Sequence, residues 1–179
     1  MAEIEIRPAI STDIPELMAF DHSISTSHIW QVEAVVDEKE MGVRLLETRL
    51  PRPLTLAYPK RIEEMADTWT KHSLFLTARL NARLVGYLIL SIEGDTRAAF
   101  ITDLVVNSNF RNQGIASGLV LAVRSHLRNS GIRRLLIGIP MRNEAALALA
   151  RKLGMTFCGY IDHYFVNQDA ALFYSMAIK

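Results

Sequence analysis

The chain has 179 residues, half of them hydrophobic and 22% charged, with a formal net charge of +1. That is enough chain for a full apolar core, and its near-neutral balance excludes nucleic acid as the main partner. No apolar stretch reaches the roughly 18 residues that span a membrane, and the first residues lack the basic start and apolar run of a secretion signal. The lone Cys158 excludes an internal disulfide, so a cytoplasmic protein with no membrane partner is expected.

Residues 3–7 alternate polar and apolar and predict a strand. Ser11-Thr-Asp-Ile-Pro-Glu16 reads as a helix start, with a capping residue ahead of an early proline. Residues 21–29 are polar with scattered apolar positions and predict a second short helix or a loop. Residues 30–36 and 43–50 predict two strands joined by the charged turn Asp37-Glu-Lys-Glu40. Leu50-Pro-Arg-Pro53 cannot continue a central strand, because proline lacks the ladder donor. Residues 54–58 are strand-like again, and residues 60–70 predict a helix.

From residue 73 onward the pattern sharpens. Strands are predicted over 73–80 and 84–92, joined by a tight turn at Asn81-Ala82, and a third over 98–106. That third run is apolar almost throughout, which suits a strand covered on both faces. Ala116, Leu119, Val120, Val123 and Leu127 follow at helical spacing, with Gly131 as terminator. Residues 135–139 form a short buried strand. Asn143 caps a helix through Leu153 that buries Ala146, Leu149, Ala150 and Leu153 and ends at Gly154. Strands over 156–161 and 171–178 complete a β-β-β-α-β-α-β-β order. With no linker and no repeat, residues 1–179 read as one domain, in which 30–70 is an elaborated segment.

The junction Asp103-Leu-Val-Val-Asn-Ser-Asn-Phe-Arg-Asn-Gln-Gly-Ile-Ala-Ser-Gly118 carries the chemistry. A strand end, a small-residue loop and a helix N-terminus converge there. Free backbone N–H groups and the positive end of the helix dipole make such a junction an anion site, suited to a pyrophosphate. The Gly-Lys-Ser/Thr ending of a Walker loop is missing, as is Gly-x-Gly-x-x-Gly. His22, His28, His72 and His126 show no metal-ligand spacing, so no metal is expected.

Arg111-x-x-Gly114-x-Ala116 resembles the coenzyme A loop of the GNAT acetyltransferase superfamily. Asn143-Glu-Ala-Ala-Leu-Ala-Leu-Ala-Arg-Lys-Leu-Gly-Met155 is similar to that superfamily's Asn-x-x-Ala-x-x-Leu-Tyr-x-Lys-x-Gly-Phe block. The spacing between the two accommodates one helix and one strand, as in the family. The resemblance implies an α/β fold: a mixed β-sheet, splayed open between the strands 98–106 and 135–139, flanked by helices on both faces, with an elaborated N-terminal segment. It implies acetyl-CoA as co-substrate, held by a core over 98–155. Leu104, Val105 and Val106 would pair with the pantetheine arm. Arg111, Asn112, Gln113, Gly114, Ile115, Ala116 and Ser117 would form the pyrophosphate loop, and Asn143 would sit near the pantetheine end. The tail 157–176, with its Gly and aromatic pairs, resembles streptothricin acetyltransferase-type members.

The chain departs from the family pattern at Ala150, where many members carry a tyrosine that protonates the leaving thiolate, and at Met155. A thiolate with a pKa of about 8.5 can leave unprotonated near neutral pH, so the reaction survives without that acid. Tyr160 and Tyr164 are candidate substitutes, or packed aromatics. Asp103 is the candidate base, or a structural strand carboxylate. Glu33, Glu47 and Asp21 either attract a cationic acceptor or are solvated, His163 is a loop histidine, and Cys158 reads as a small buried residue. The expected activity is transfer of acetyl to a primary amine by direct attack. The acceptor is a small molecule, a protein N-terminus or a protein lysine. A non-catalytic acyl-CoA sensor is the alternative, and a homodimer paired through strand 171–178 is a further expectation.

Overall fold

The computed structural model describes residues 4–92 and 94–179. Its strands are β1 (Ile4–Pro8), β2 (Ile24–Val36), β3 (Met41–Leu56), β4 (Leu74–Leu80), β5 (Arg83–Ile92), β6 (Ala98–Val106), β7 (Arg134–Pro140), β8 (Thr156–Ile161) and β9 (Ala171–Ala177). Its α-helices are α1 (Ile14–Met18), α2 (Met65–Thr68), α3 (Ile115–Leu127) and α4 (Glu144–Lys152). Seven strands form one sheet in the order β1-β4-β5-β6-β7-β9-β8, and β2 and β3 form a separate two-stranded sheet.

Apolar side chains on both sheet faces dictate two layers of cover. On one face Leu88, Leu90, Ala99, Ile101 and Leu135 pack with Ile115, Leu119, Val123 and Leu127 of α3 and Leu147 and Ala150 of α4. On the other, Phe75, Tyr87, Ile89 and Val105 pack with Ile14 and Leu17 of α1 and Met65 of α2. The β4–β5 hairpin turns at Asn81 and Ala82, both with positive φ (49° and 64°). Such a turn matches the right-handed twist of its strands.

A bulge in β6 decides which face carries the chemistry. Ile89 pairs with Asp103 and Leu90 with Ile101, so Thr102 is an extra residue opposite that step. In a regular strand Ile101, Asp103 and Val105 share one face. The extra residue breaks this alternation. Ile101 therefore lies in the α3 core, while Val105 lies in the α1/α2 core.

β6 and β7 run parallel and pair only from Ala98–Arg134 to Ile101–Ile137. Beyond that point they part, and residues 102–106 keep β5 as neighbour on the other side. A V-shaped opening results, as the family resemblance implies.

Several expectations for the N-terminal half are corrected. Residues 24–29 are strand rather than helix or loop, and β2 pairs with β3 over nearly its whole length. Leu50, Pro51, Arg52 and Pro53 lie inside β3, but Thr26 pairs with Leu54 and His28 with Arg49. The two prolines therefore occupy an extruded bulge where no ladder bond is required. The predicted helix over 60–70 breaks into a 3-10 turn at Ile62–Glu64, the single α-turn α2, and a second 3-10 turn at Trp69–Lys71. Met65 is its buried anchor, too little packing to sustain a long helix.

At the other end, β9 lies between β7 and β8. Both of its edges are paired within the chain, so residues 171–178 are not the exposed strand that the expected homodimer pairing required. Cys158 is exposed rather than buried, with its thiol directed to the Phe173 carbonyl oxygen at 3.4 Å. On α4 the fully buried residues are Leu147 and Ala150, while Ala146, Leu149 and Leu153 are half-buried. The apolar face of this helix is wider than the core it meets, and the surplus lines the V.

Candidate active site

The V between β6 and β7 is a cleft of roughly 560 Å³. One wall is β6 with Thr102, Asp103, Leu104, Val105 and Val106, and the other includes Gly138, Pro140, Asn143, Ala146 and Leu149. The floor at the loop end is Arg111, Asn112, Gly114, Ile115, Ala116 and Ser117, while Gln113 is exposed and does not line the cleft.

The loop has the backbone form of an anion cradle. Asn112 and Gly114 have φ of 63° and 81°, and Gly114 is the N-cap of the thirteen-residue α3. The first i→i−4 bond of the helix is Gly118 N–H to the Gly114 carbonyl, at 2.9 Å. The amides of Ile115, Ala116 and Ser117 precede it and have no helical carbonyl to bond. Successive N–H groups around left-handed residues form an anion-binding concavity, strengthened by the helix dipole. A Cβ built at Gly114 meets nothing within 4 Å, so the turn at that point is uncrowded. Lys152, in the last turn of α4, lines the facing wall.

The Arg111 side chain does a different job. Its Nε donates to the Val106 carbonyl at 3.1 Å, and one terminal nitrogen donates to the carbonyls of Ser23 at 2.8 Å and Asp21 at 3.3 Å. The guanidinium thus ties the end of β6 to the segment entering β2. Asn143 N-caps α4, its side-chain oxygen accepting from the Ala146 amide at 3.1 Å.

At the apex of the V, Asp103 is 11% exposed and fully partnered. Tyr58 donates its hydroxyl to one carboxylate oxygen at 2.5 Å, and the Lys60 ammonium donates to the other at 2.9 Å. Lys60 also donates to the Thr102 carbonyl. Behind Tyr58 stands Tyr87, whose hydroxyl lies 3.0 Å from His22 Nε2. His22 Nδ1 donates to the Phe20 carbonyl at 2.8 Å, which leaves Nε2 as the acceptor of the Tyr87 proton in the neutral ring.

Burial, reinforced by the Asp103 charge, holds both tyrosine hydroxyls well above their ordinary range. Burial lowers His22 below its usual value, against the opposing pull of the Phe20 carbonyl and of Asp103. At neutral pH the tyrosines are therefore protonated donors and His22 is an uncharged acceptor.

Sequence reasoning found Asp103 and missed the residues around it. Tyr58, Lys60, His22 and Tyr87 come from three separate segments and carry no motif. The remaining candidates stand elsewhere. Tyr160 is half-buried on the edge strand β8. Tyr164 is 53% exposed and stacks edge-on against Phe165 and Phe173. Neither lines the cleft, whereas Tyr58 and Phe165 do. His163 and Asp162 pair on the surface, and Glu33 pairs with Arg44 in solvent. Glu47 and Asp21 are exposed and do not line the cleft.

The segment 22–60 contributes to the cleft. His22, Ile24, Ser25, Tyr58, Pro59 and Lys60 line it together with Asp103. The hairpin is fastened to the opposite wall at Trp30. Its amide donates to the Met141 carbonyl at 3.0 Å, its indole N–H donates to Glu144 at 2.5 Å, and Arg151 lies over its ring at 5.2 Å.

Comparison with known proteins agrees with this geometry. Residues 43–155 match the profile of the Acetyltransferase (GNAT) family. N-alpha-acetyltransferase 30 of Schizosaccharomyces pombe (strain 972 / ATCC 24843) is 30% identical over 99 residues, covering 52% of this chain and 65% of its own. N-alpha-acetyltransferase MAK3 of Arabidopsis thaliana is 33% identical over 88 residues, covering 48% of this chain. This chain thus spans under two thirds of the first relative and about half (46%) of the second.

Among solved structures, nourseothricin acetyltransferase superposes with a TM-score of 0.85 at 23% identity, over 98% of this chain and 99% of its own. A protein from Bacillus anthracis str. Ames, provisionally described as a streptothricin acetyltransferase and solved in complex with acetyl coenzyme A, superposes with a TM-score of 0.76 at 16% identity over 99% of both chains. At these identities the likeness is one of fold. The match over 43–155, together with the splayed sheet and its loop, places the chain in the Acetyltransferase (GNAT) family.

Proposed function

We propose that the acceptor is the primary amine of a small molecule, acetylated by direct attack within the cleft. The observation that carries this reading is the wall formed by residues 22–25 and 58–60 in front of Asp103, fastened by Trp30 to α4. Such a wall leaves a walled recess rather than a groove running across the sheet. The exposed thiol of Cys158 fits a reducing, cytoplasmic compartment.

In this reading Asn112, Gly114, Ile115, Ala116 and Ser117 supply amides to the pyrophosphate. Leu104, Val105 and Val106 flank the pantetheine arm, and Asn143 borders its far end. Acetyl-CoA supplies the thioester. Asp103 receives the acceptor's ammonium and takes a proton from it, directly or through one water, and the free amine then attacks the carbonyl carbon. Backbone N–H groups at Val105 or Val106 hold the oxyanion. Tyr58 is a positioning residue: its hydroxyl fixes the carboxylate and stays protonated. The C–S bond then breaks, and the thiolate leaves without a dedicated acid, since Ala150 offers none.

A second reading rests on the N-alpha-acetyltransferase names of the curated relatives: a peptide α-amine as acceptor. A panel of polyamines, lysine-bearing antibiotics and short peptides, followed by release of free thiol, separates the two. Turnover confined to small alkyl amines is the expected result. Turnover confined to peptide N-termini would replace the first reading by the second.

A further inference from the structure

The Lys60 ammonium sits where a substrate ammonium is expected. It donates to the Asp103 carboxylate and to the Thr102 carbonyl. Thr102 and Asp103 follow directly on Ile101, the last β6 residue paired with β7. From Thr102 to Val106 the strand spans about 13 Å, at about 3.3 Å per residue. A pantetheine arm laid along this edge from the 112–117 loop carries its thioester to that same end. The side chain is also preorganised. Tyr58, two residues earlier, is anchored to Asp103, and Pro59 between them fixes its own backbone φ. Lys60 remains 40% exposed, open to the cleft it lines.

We propose that Lys60 is an internal acetyl acceptor, modified in cis by the enzyme when no competing amine occupies the cleft. The inference rests on the acetyl-transfer reading of the same site. Asp103 takes one proton from the Lys60 ammonium, and the Nζ lone pair forms a bond to the thioester carbonyl carbon. The tetrahedral adduct collapses, the C–S bond breaks, and the second proton lost from nitrogen offsets protonation of the departing thiolate. One acetyl-lysine, one free thiol and one released proton result. The amide has no charge, so Asp103 loses its cationic partner, keeps the Tyr58 hydroxyl, and presents its negative charge to a cationic acceptor.

The test incubates the full chain with isotope-labelled acetyl-CoA, without acceptor, and maps the label by peptide mass spectrometry over time. Calorimetric titration with acetyl-CoA runs in parallel. Label is expected at Lys60 on the order of a hundredfold faster than at Lys39, Lys71, Lys152 or Lys179, the gain that held geometry supplies. The fractional rate should be unchanged on dilution of the protein, and a small primary amine should suppress it. Lys60→Arg keeps the ion pair and should abolish the fast label, and Asp103→Asn should slow it. Acetyl-CoA binding with no label at Lys60, with label spread evenly over the lysines, or with a rate that falls on dilution would overturn the inference and leave the acetyltransferase reading standing. Absence of acetyl-CoA binding would overturn both.

Discussion

Replacing Asp103 by Asn tests the base assignment with a size that depends on the acceptor. The substitution keeps the side-chain volume and leaves an oxygen for the Tyr58 hydroxyl, now at 2.5 Å. It removes the charge that faces Lys60. Because the Lys60 side chain is 40% exposed it can turn to solvent, so folding should lose no more than about 1–2 kcal/mol. The catalytic loss is larger. An alkyl amine with a pKa of about 10.4 must be deprotonated at a cost of about 4 kcal/mol at pH 7.4, whereas an α-amine with a pKa of about 7.8 costs roughly 0.5 kcal/mol. A positioned base contributes on the order of 10²–10⁴ to such a step. Asp103→Asn should therefore lower kcat for an alkyl amine by about 10²-fold or more, and by less than about tenfold for an amine of low pKa. Thiol release measured across an amine series of graded pKa reads this directly. Calorimetry with acetyl-CoA should show unchanged affinity, because the 112–117 amides are untouched. A loss of less than about threefold for every amine, or one equal loss for all of them, would refute the role of Asp103 as base.

Gly114→Ala forces a side chain into φ 81° with open space around its Cβ, so the cost is backbone strain of about 1–2 kcal/mol. If the loop relaxes to shed it, acetyl-CoA affinity should fall by about tenfold, read by calorimetry, with acceptor preference unchanged. Gly86→Ala places a Cβ 2.8 Å from the Val105 carbonyl oxygen, where backbone cannot yield, and should cost about 1–3 kcal/mol in denaturant unfolding. Stability should also fall on acidification in two windows. Burial lowers His22 in the folded state, so below about pH 6.5 the unfolded chain takes up a proton first, and stability drops until the folded ring titrates too. Burial pushes the Asp13 carboxyl up, but its bonds to Arg7 and the Ile10 amide more than reverse this. Its contribution is therefore present above about pH 3.8 and lost as pH falls through the lowered folded value. His72 is lowered by burial as well and contributes to the same window, so His22→Gln should shrink the upper window without abolishing it and leave the lower one unchanged, and an undiminished upper window would show that His22 does not contribute to it.

From Leu74 onward the elements were legible because each rests on a local signal. Apolar strand runs, the 3.6-residue spacing of α3, the Asn143 cap and the glycines at 114, 131 and 154, all with positive φ, depend on few distant partners. The loop ahead of α3 was legible for the same reason, since its form is that of backbone amides at a helix start. The N-terminal half was not, because tertiary contacts decide its form. The hairpin β2–β3 lies outside the main sheet, so its alternation is set by what it covers, and its prolines are tolerated only because one residue of β2 faces a four-residue bulge.

The surroundings of Asp103 show most clearly where local reading ends. Composition suggested that 98–106 is a regular buried strand, and in a regular strand Asp103 shares a face with Ile101 and points into the α3 core. One extra residue at Thr102, forced by the register against Ile89 and Leu90, breaks that alternation, and the carboxylate meets Tyr58 and Lys60. No pattern within 98–106 announces that bulge. The same applies to the partners: Tyr58 and Lys60 follow a strand whose length depends on an extruded Pro-Arg-Pro, and His22 meets Tyr87 across 65 residues. Arg111 is the converse case. The sequence reads it as part of the pyrophosphate loop, yet its side chain holds the Val106, Asp21 and Ser23 carbonyls. It thereby fixes the segment that carries His22 and Ile24 against the end of β6, so a residue of the loop ahead of α3 also positions one wall of the cleft.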